Sequence, residues 1–492
     1  MLPAACLLAP AACVLADPPR LSLSYLIWNW TEDGRNFDRF RERVAQGKAA
    51  GCDTIEATIG WRDVETVDGV FDFTEADRRI EEVGRQGLKL RVRLNFTYLA
   101  NWPAWHAPAL MTGLNGETPT HVLSPFDEKT NDLRDRFTEA VARHFRGRGI
   151  VWVAGLGMHL EVKYGAWISY EPPARAAFRR WLGDRYGKVA ALNGEAGTSY
   201  KSFEEVEPPE MKPTEDVPDL DPLRLLFLQF REDGLARQAD RFAESIRRGD
   251  PGGRVAVMLG ESWRREGAAF ANQAYWRYAR LADEVLHSYD FYMNPHDDPL
   301  PARRAVQFFR GMTAKPVSFE IDGPFMFDHL KWKYDQVLPV ARAAVAGGAG
   351  GFNLANYETD PANFPFVKPL AELTQSSAPP KEAPSSERLF YVSKWTFYTL
   401  RQKDESLRAR VYKHLAAVEA KHGPFRVVSD ENLLTEPDLK PEVLAVSYSP
   451  VRSAGSQKAL ERLAAGAKAV EADGPGLKEW KAPPVDLDNG IR

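Results

Sequence analysis

Apolar and polar positions alternate along this chain in a repeated two-part pattern: a short apolar run, then a longer stretch with apolar residues every three or four positions. Residues 21–28 read as a first strand, and 36–50, with Phe37, Phe40, Val44 and Ala45 at helical spacing, as the helix behind it. The next unit is a strand over 53–61 and a helix over 74–86, with Thr74 as the expected N-cap, Asp77 in the first turn and Gly87 closing the end. A third strand, 88–96, and a third helix, 127–146, flank a long loop that carries Trp102, Trp105 and His106. The run that starts at Val151 stays apolar or small until Glu161 and is followed at once by Tyr164, Gly165 and Trp167, so it reads as a buried strand delivering a carboxylate to a pocket rim. Helical patterns over 173–186 and 221–248 enclose an acidic, proline-rich surface excursion at 204–219. Strands at 254–260, 284–294, 315–321 and 350–355 then alternate with helices at 268–281, 301–312 and 335–346. Eight alternating units are the number a closed (β/α)8 TIM barrel requires, an α/β fold with a parallel sheet.

Past Leu370 the pattern breaks into a Ser/Pro-rich stretch, 376–386, with the composition of a linker. The expected organisation is a barrel domain over 17–372, a linker over 373–387 and a smaller α/β domain, flavodoxin-like or Rossmann-like, over 388–492. Within the small domain, 408–422 and 457–465 read as helices and 425–428 and 443–447 as strands. Residues 1–16 are uncharged, apolar and too short to span a bilayer, and read as a secretory signal cut near Ala16, giving a secreted or periplasmic protein.

Composition narrows the function classes. With 492 residues, 44% hydrophobic and 27% charged, the chain can bury a full core without staples. A net charge of −4 leaves no basic footprint, which argues against nucleic acid or anionic membrane surfaces as partners. Cys6 and Cys13 lie in the leader, so Cys52 stands alone, and neither a disulfide framework nor a Cys-rich zinc site is available. The 13 tryptophans suit the stacking of sugar rings, and suit a core equally well.

In barrels of this kind the chemistry sits at the C-terminal ends of the strands. Glu161 after the fourth strand and Glu320 in the seventh, followed by a Gly-Pro break at 323–324, place two carboxyls where they can face each other across the mouth. Cleaving a glycosidic bond needs one carboxyl protonated enough to donate to the leaving oxygen and one ionised to attack or to activate water. A separation of about 5–5.5 Å gives retention of configuration and about 6.5–9.5 Å gives inversion. Glu261, Asp290 and Glu358 are rival strand-end carboxylates, and a purely structural Glu161 would pair with Lys163 or Arg93. Trp102, Trp105, Trp167 and Trp263 are candidate sugar platforms or core residues. Tyr289 and Tyr292 are placed to hold the nucleophile's charge, or to pack. Three adjacent residues cannot converge on one ion, so His296, Asp297 and Asp298 read as a solvated loop.

Several separated pieces resemble the family 42 glycoside hydrolases, mostly β-galactosidases with a TIM barrel and an α/β domain behind it. They are 61–73 after the second strand, Trp102-Pro103-Ala104-Trp105 after the third, 159–165 with Glu161 before Tyr164-Gly165, and the segment 176–193 downstream. The resemblance implies that Glu161 is the acid/base, Glu320 the nucleophile, the outcome retention, and the α/β domain a mediator of trimers. His159, Tyr164 and Glu261 join Trp102, Trp105, Trp167, Trp263, Tyr289 and Tyr292 as candidate substrate contacts. Two departures stand out. The family's asparagine before the acid/base, whose amide binds the sugar 2-hydroxyl, is Leu160 here, which points to another donor such as His159, a different sugar or reduced activity. The cysteine cluster that holds zinc in many members is missing from 164–175, so no metal or other cofactor is expected. The expected function is a secreted hydrolase of β-linked galactosides; an endo-hydrolase of another polysaccharide and a non-catalytic carbohydrate-binding barrel are the alternatives.

Overall fold

In the computed structural model, eight parallel strands close into a barrel, each pairing with the next and β8 returning to β1. The structure describes residues 21–28, 36–96, 100–113, 116, 122–154, 169–210, 221–260, 275–288, 300–323, 325–357, 359–378, 385–400, 404–474, 477 and 480–488. The strands are β1 (Ser22–Ile27), β2 (Thr54–Gly60), β3 (Lys89–Asn95), β4 (Val151–Ala154), β5 (Arg254–Gly260), β6 (Glu284–Ser288), β7 (Val317–Asp322) and β8 (Gly351–Ala355). Closure is set by the register Ser24↔Thr54 on one side of β1 and Ser22↔Gly351 on the other.

Side chains alternate between two environments along each strand. Leu23, Tyr25 and Ile27, Ile55 and Ile59, Val92 and Leu94, and Phe319 and Ile321 point outward into one continuous core shared with the helices. The inward positions divide the barrel interior into two halves. Val153, Ala256, Met258 and Leu286 on β4 to β6 form a separate apolar cluster. On β1, β2, β3, β7 and β8 the buried inward residues include Ser24, Glu56, Arg91, Arg93, Glu320 and Asn353. Charge on one side of the interior is what positions the site.

The barrel helices are α1 (Phe37–Ala49), α2 (Thr74–Arg85), α3 (Glu128–His144), α4 (Pro172–Tyr186), α5 (Pro222–Gly249), α6 (Leu300–Thr313), α7 (Tyr334–Gly347) and α8 (Val367–Ser376). Asn36, Asp127 and Asp221 cap α1, α3 and α5 by accepting from backbone N–H groups of the first turn. The expected cap at Thr74 is corrected: Thr74 is already helical, and the Asp72 carboxylate accepts its N–H at 2.9 Å. A carboxylate two residues upstream fills the role expected of the hydroxyl. Gly87, at φ +72, ends this helix as anticipated.

Other differences are local. The expected helix 268–281 is described only as a turn at Tyr275–Tyr278, and the described part of the expected strand 284–294 is Glu284–Ser288; residues 261–274 and 289–299 lie outside the described set. Helix α8 runs into the first four residues of the expected linker, since Val367, Leu370, Ala371 and Thr374 keep a buried stripe at helical spacing. Residues 1–16, which the sequence reads as a secretory signal, also lie outside the described residues.

The second domain is a parallel sheet of order β10-β9-β11-β12, built from β9 (Arg388–Tyr391), β10 (Arg426–Val428), β11 (Val443–Val446) and β12 (Ala469–Ala472), with α9 (Asp404–His422) and α10 (Ala454–Gly466). It docks on the barrel through β10 against α6. Arg426 donates to the Gly311 carbonyl at 2.9 Å, and Asn432 to the Met312 carbonyl at 2.9 Å. Among the described residues no helix is long and apolar enough to cross a membrane.

Candidate active site

Glu320 sits in the second half of β7 with its side chain turned into the barrel and about 5% of its surface exposed. Its register partner on β8 is Asn353. Across the interior, Arg93 on β3 brings Nη2 to 3.3 Å from Glu320 Oε2. The same guanidinium is held more tightly by Glu56 on β2, whose Oε1 accepts from Arg93 Nε at 2.6 Å and lies 2.5 Å from Nη2. Asn353 Nδ2 donates to the other Glu56 oxygen at 3.1 Å, and Ser24 Oγ donates to Asn353 Oδ1 at 2.9 Å. One layer lower, Arg91 pairs with Glu284 at 2.7 Å and lies 3.7 Å from Glu56.

Above this layer Trp28, at the end of β1, lies over Arg93 with 4.9 Å between the guanidinium carbon and the ring centroid, a cation–π stacking. Its indole N–H donates to Asn356, whose Nδ2 donates to Asp322 Oδ2 at 2.7 Å. Asn356 follows β8 with φ +59, a conformation that asparagine tolerates better than most residues and that occurs often beside functional sites. The result is a connected polar wall from β7 through β8 and β1 to β3, with a fixed cation beside the Glu320 carboxylate. That arrangement suits a carboxylate that must carry its charge to the reacting centre, because a neighbouring guanidinium is worth far more in a water-excluded site than in bulk solvent.

Of the residues singled out from the sequence, Glu320, Trp102 and Trp105 are described. Trp105 is half-buried: its N–H donates to the Glu65 carbonyl at 3.0 Å, and its ring meets Trp61 edge-on at 6.4 Å. Trp102 is half-buried and packed against the core. Arg93, considered as a structural partner for Glu161, is found on Glu56 and Glu320. Glu161, His159, Tyr164, Trp167, Glu261, Trp263, Tyr289 and Tyr292 lie outside the described residues, as do Asp290, Glu358 and the 296–298 triplet. Sequence reasoning passed over Glu56, Asn353, Trp28, Asp322 and Asn356. The signal it left unused is the pair Arg91 and Arg93 at period two, alternating with Leu90, Val92 and Leu94, with Glu56 in the strand before.

The glycoside hydrolase family 42 model, described as beta-galactosidase, matches residues 25–320, from β1 to Glu320 itself. The chain belongs to this family. Among curated relatives, a beta-galactosidase of Halorubrum lacusprofundi is 27% identical over 248 residues, covering 47% of this chain and 33% of the relative. A beta-galactosidase of Geobacillus kaustophilus is 24% identical over 273 residues, covering 52% and 38%. The chain thus matches 33–38% of the length of these relatives. Among solved structures, the Halorubrum lacusprofundi beta-galactosidase superposes with a TM-score of 0.72 at 17% identity, over 91% of this chain and 72% of that one. The beta-galactosidase of Rahnella sp. R3 superposes with a TM-score of 0.70 at 15% identity, over 93% and 71%. These likenesses establish the family 42 fold, barrel and following α/β domain together.

Proposed function

We propose that this chain hydrolyses β-linked galactosides or closely related glycans, with Glu320 as nucleophile and Glu161 as acid/base. The observation that carries the reading is the buried Glu320 carboxylate, turned into the C-terminal half of the barrel and paired with Arg93 at 3.3 Å, in a family 42 chain. In the first step a Glu320 oxygen forms a bond to the anomeric carbon as the glycosidic C–O bond breaks, and the Glu161 proton passes to the leaving oxygen. In the second, Glu161 takes a proton from water, whose oxygen bonds to the anomeric carbon and releases Glu320. Retention of configuration follows from that sequence. Trimer formation through the α/β domain belongs to the same reading, and the native mass in solution tests it.

The test is a panel of aryl β-glycosides with purified protein. Glu320→Gln is expected to lower galactoside turnover by several orders of magnitude while leaving sugar binding, and Glu161→Ala to be rescued by azide with a β-galactosyl azide as product. Unchanged turnover in Glu320→Gln removes Glu320 from the mechanism. Leu160 favours a second reading, an endo-acting hydrolase of another polysaccharide, because the hydrogen bond to the sugar 2-hydroxyl that strengthens in the transition state needs a different donor. Turnover of polysaccharide without release from any aryl glycoside would select it.

A further inference from the structure

A fully buried carboxylate lies beneath the nucleophile. Glu56 has no exposed surface, and burying an ion pair is seldom a gain in stability over well-packed apolar residues of the same volume. Its geometry is specific. Arg93 turns two nitrogens, at 2.6 and 2.5 Å, onto one Glu56 oxygen and reaches Glu320 only with the longer 3.3 Å contact. An arginine facing a single carboxylate would favour the bidentate fork. Here neither carboxylate takes the fork: the Nε/Nη2 edge converges on one Glu56 oxygen, and Asn353 from β8, itself held by Ser24 on β1, fixes the other Glu56 oxygen.

We propose that Glu56 is a positioning residue for Glu320: it anchors Arg93 so that one nitrogen reaches the nucleophile, and its charge offsets part of the guanidinium's field there. This deepens the reading of Glu320 as nucleophile and rests on it. An unshared guanidinium would over-stabilise the Glu320 carboxylate and make it a poorer nucleophile; with Glu56 in place the carboxylate is oriented and stays reactive. Among the described residues, the charged groups turned into the barrel around Glu320 are Arg93 and Arg91 on β3, Glu56 on β2, Glu284 on β6 and Asp322 on β7 itself. His287 on β6 points outward and packs on Phe319. The inward groups from β1 and β8 are neutral.

The experiment is the pH profile of kcat/KM for Glu56→Gln in the full chain, with thermal stability measured in parallel. Removing the Glu56 charge leaves Glu320 facing a less neutralised guanidinium, so the acid limb is expected to move down by about one pH unit and kcat/KM at the optimum to fall about tenfold. Glu56→Asp, which keeps the charge and draws it back, is expected to shift the limb in the same direction by less, and it serves if Glu56→Gln does not fold. A substrate-free readout is the titration of Glu320 by carboxyl carbon resonance in protein labelled at glutamate, assigned by its loss in Glu320→Gln; it should move down in Glu56→Gln. A fold-competent Glu56→Gln with lowered thermal stability but the parent's acid limb and Glu320 titration would overturn the inference and leave Glu56 a structural ion. Turnover that survives Glu320→Gln would fail the underlying reading instead, a distinct signature.

Discussion

Lys394 of the second domain places Nζ 2.6 Å from Glu232 Oε1 of barrel helix α5, and both side chains are almost wholly buried. The ammonium also pairs with Glu431, while Glu232 receives Arg277 at 2.9 Å and the Tyr398 hydroxyl at 3.1 Å. Burial opposes the Glu232 charge, yet Lys394 and Arg277 hold its carboxyl below the ordinary range. Burial likewise opposes the Lys394 charge, and Glu232 and Glu431 outweigh it. The two domains therefore share an ionic cluster that neither can complete alone.

Lys394→Ala leaves Glu232 and Glu431 buried without their common cation. Breaking one side of a buried pair costs about 3–5 kcal/mol. Chemical denaturation should show a loss of that order, expressed as early release of the second domain. A loss below about 1 kcal/mol would mean that water enters and solvates the cluster.

Gly311 on α6 is set by contact rather than by dihedral freedom. A β-carbon there would collide with the backbone carbonyl and amide of Val427 on β10, which cannot yield as a side-chain tip can. Gly311→Ala should push α6 and β10 apart and cost about 1–3 kcal/mol, the range for overpacking. Its activity should fall only as the unfolded fraction rises, because neither residue lines the Glu320 wall; a kinetic defect at full stability would contradict this.

Asp430 gives the docked domain a pH dependence. Burial first, and then the Glu431 charge, raise its carboxyl to about 6, against hydrogen bonds from Ser456 and Tyr391 and the Lys394 charge. The folded state therefore binds this proton more tightly than the unfolded one, whose carboxyl titrates near ~3.9. The favourable contribution is complete below that value and declines as pH rises toward 6. Relative to the parent, Asp430→Asn should gain about 1 kcal/mol in unfolding free energy between pH 5 and pH 7. Urea melts of both proteins at the two pH values measure it, and a difference independent of pH would refute the assignment.

The barrel was legible because short runs rich in aliphatic and β-branched residues alternate with longer stretches at helical spacing that begin at caps such as Asn36, Asp127 and Asp221, all local signals. Strand β12 was not legible because it alternates half-buried and exposed positions, as an edge strand does, and so carries no apolar run. At the site, Glu320 was readable from its strand and the Gly-Pro break. Glu56 and Asn353 were not, since their roles arise only when barrel closure brings β2 and β8 to the same layer, 297 residues apart in sequence. Short-range patterns report on strands and helices; a network across a closed barrel is written in register.

Trp105 separates packing from sugar recognition. Its N–H is committed to the Glu65 carbonyl, and its ring stands at 87° to Trp61 within a cluster that includes His106. Glu65 is itself fixed by Trp61 Nε1 at 2.7 Å and by the Gly69 amide at 2.8 Å, so the indole completes a brace between the loop after β3 and the turn after β2. Trp105→Phe keeps most of the ring contact and loses the hydrogen bond, which leaves a carbonyl acceptor without its donor. The expected cost is about 1–3 kcal/mol of stability, with KM for an aryl galactoside changed by less than about threefold, since an indole acting as a sugar platform would be worth more than that. A KM raised tenfold or more in a protein of unaltered stability would instead put Trp105 against the substrate and assign the brace to Trp61 and Glu65 alone.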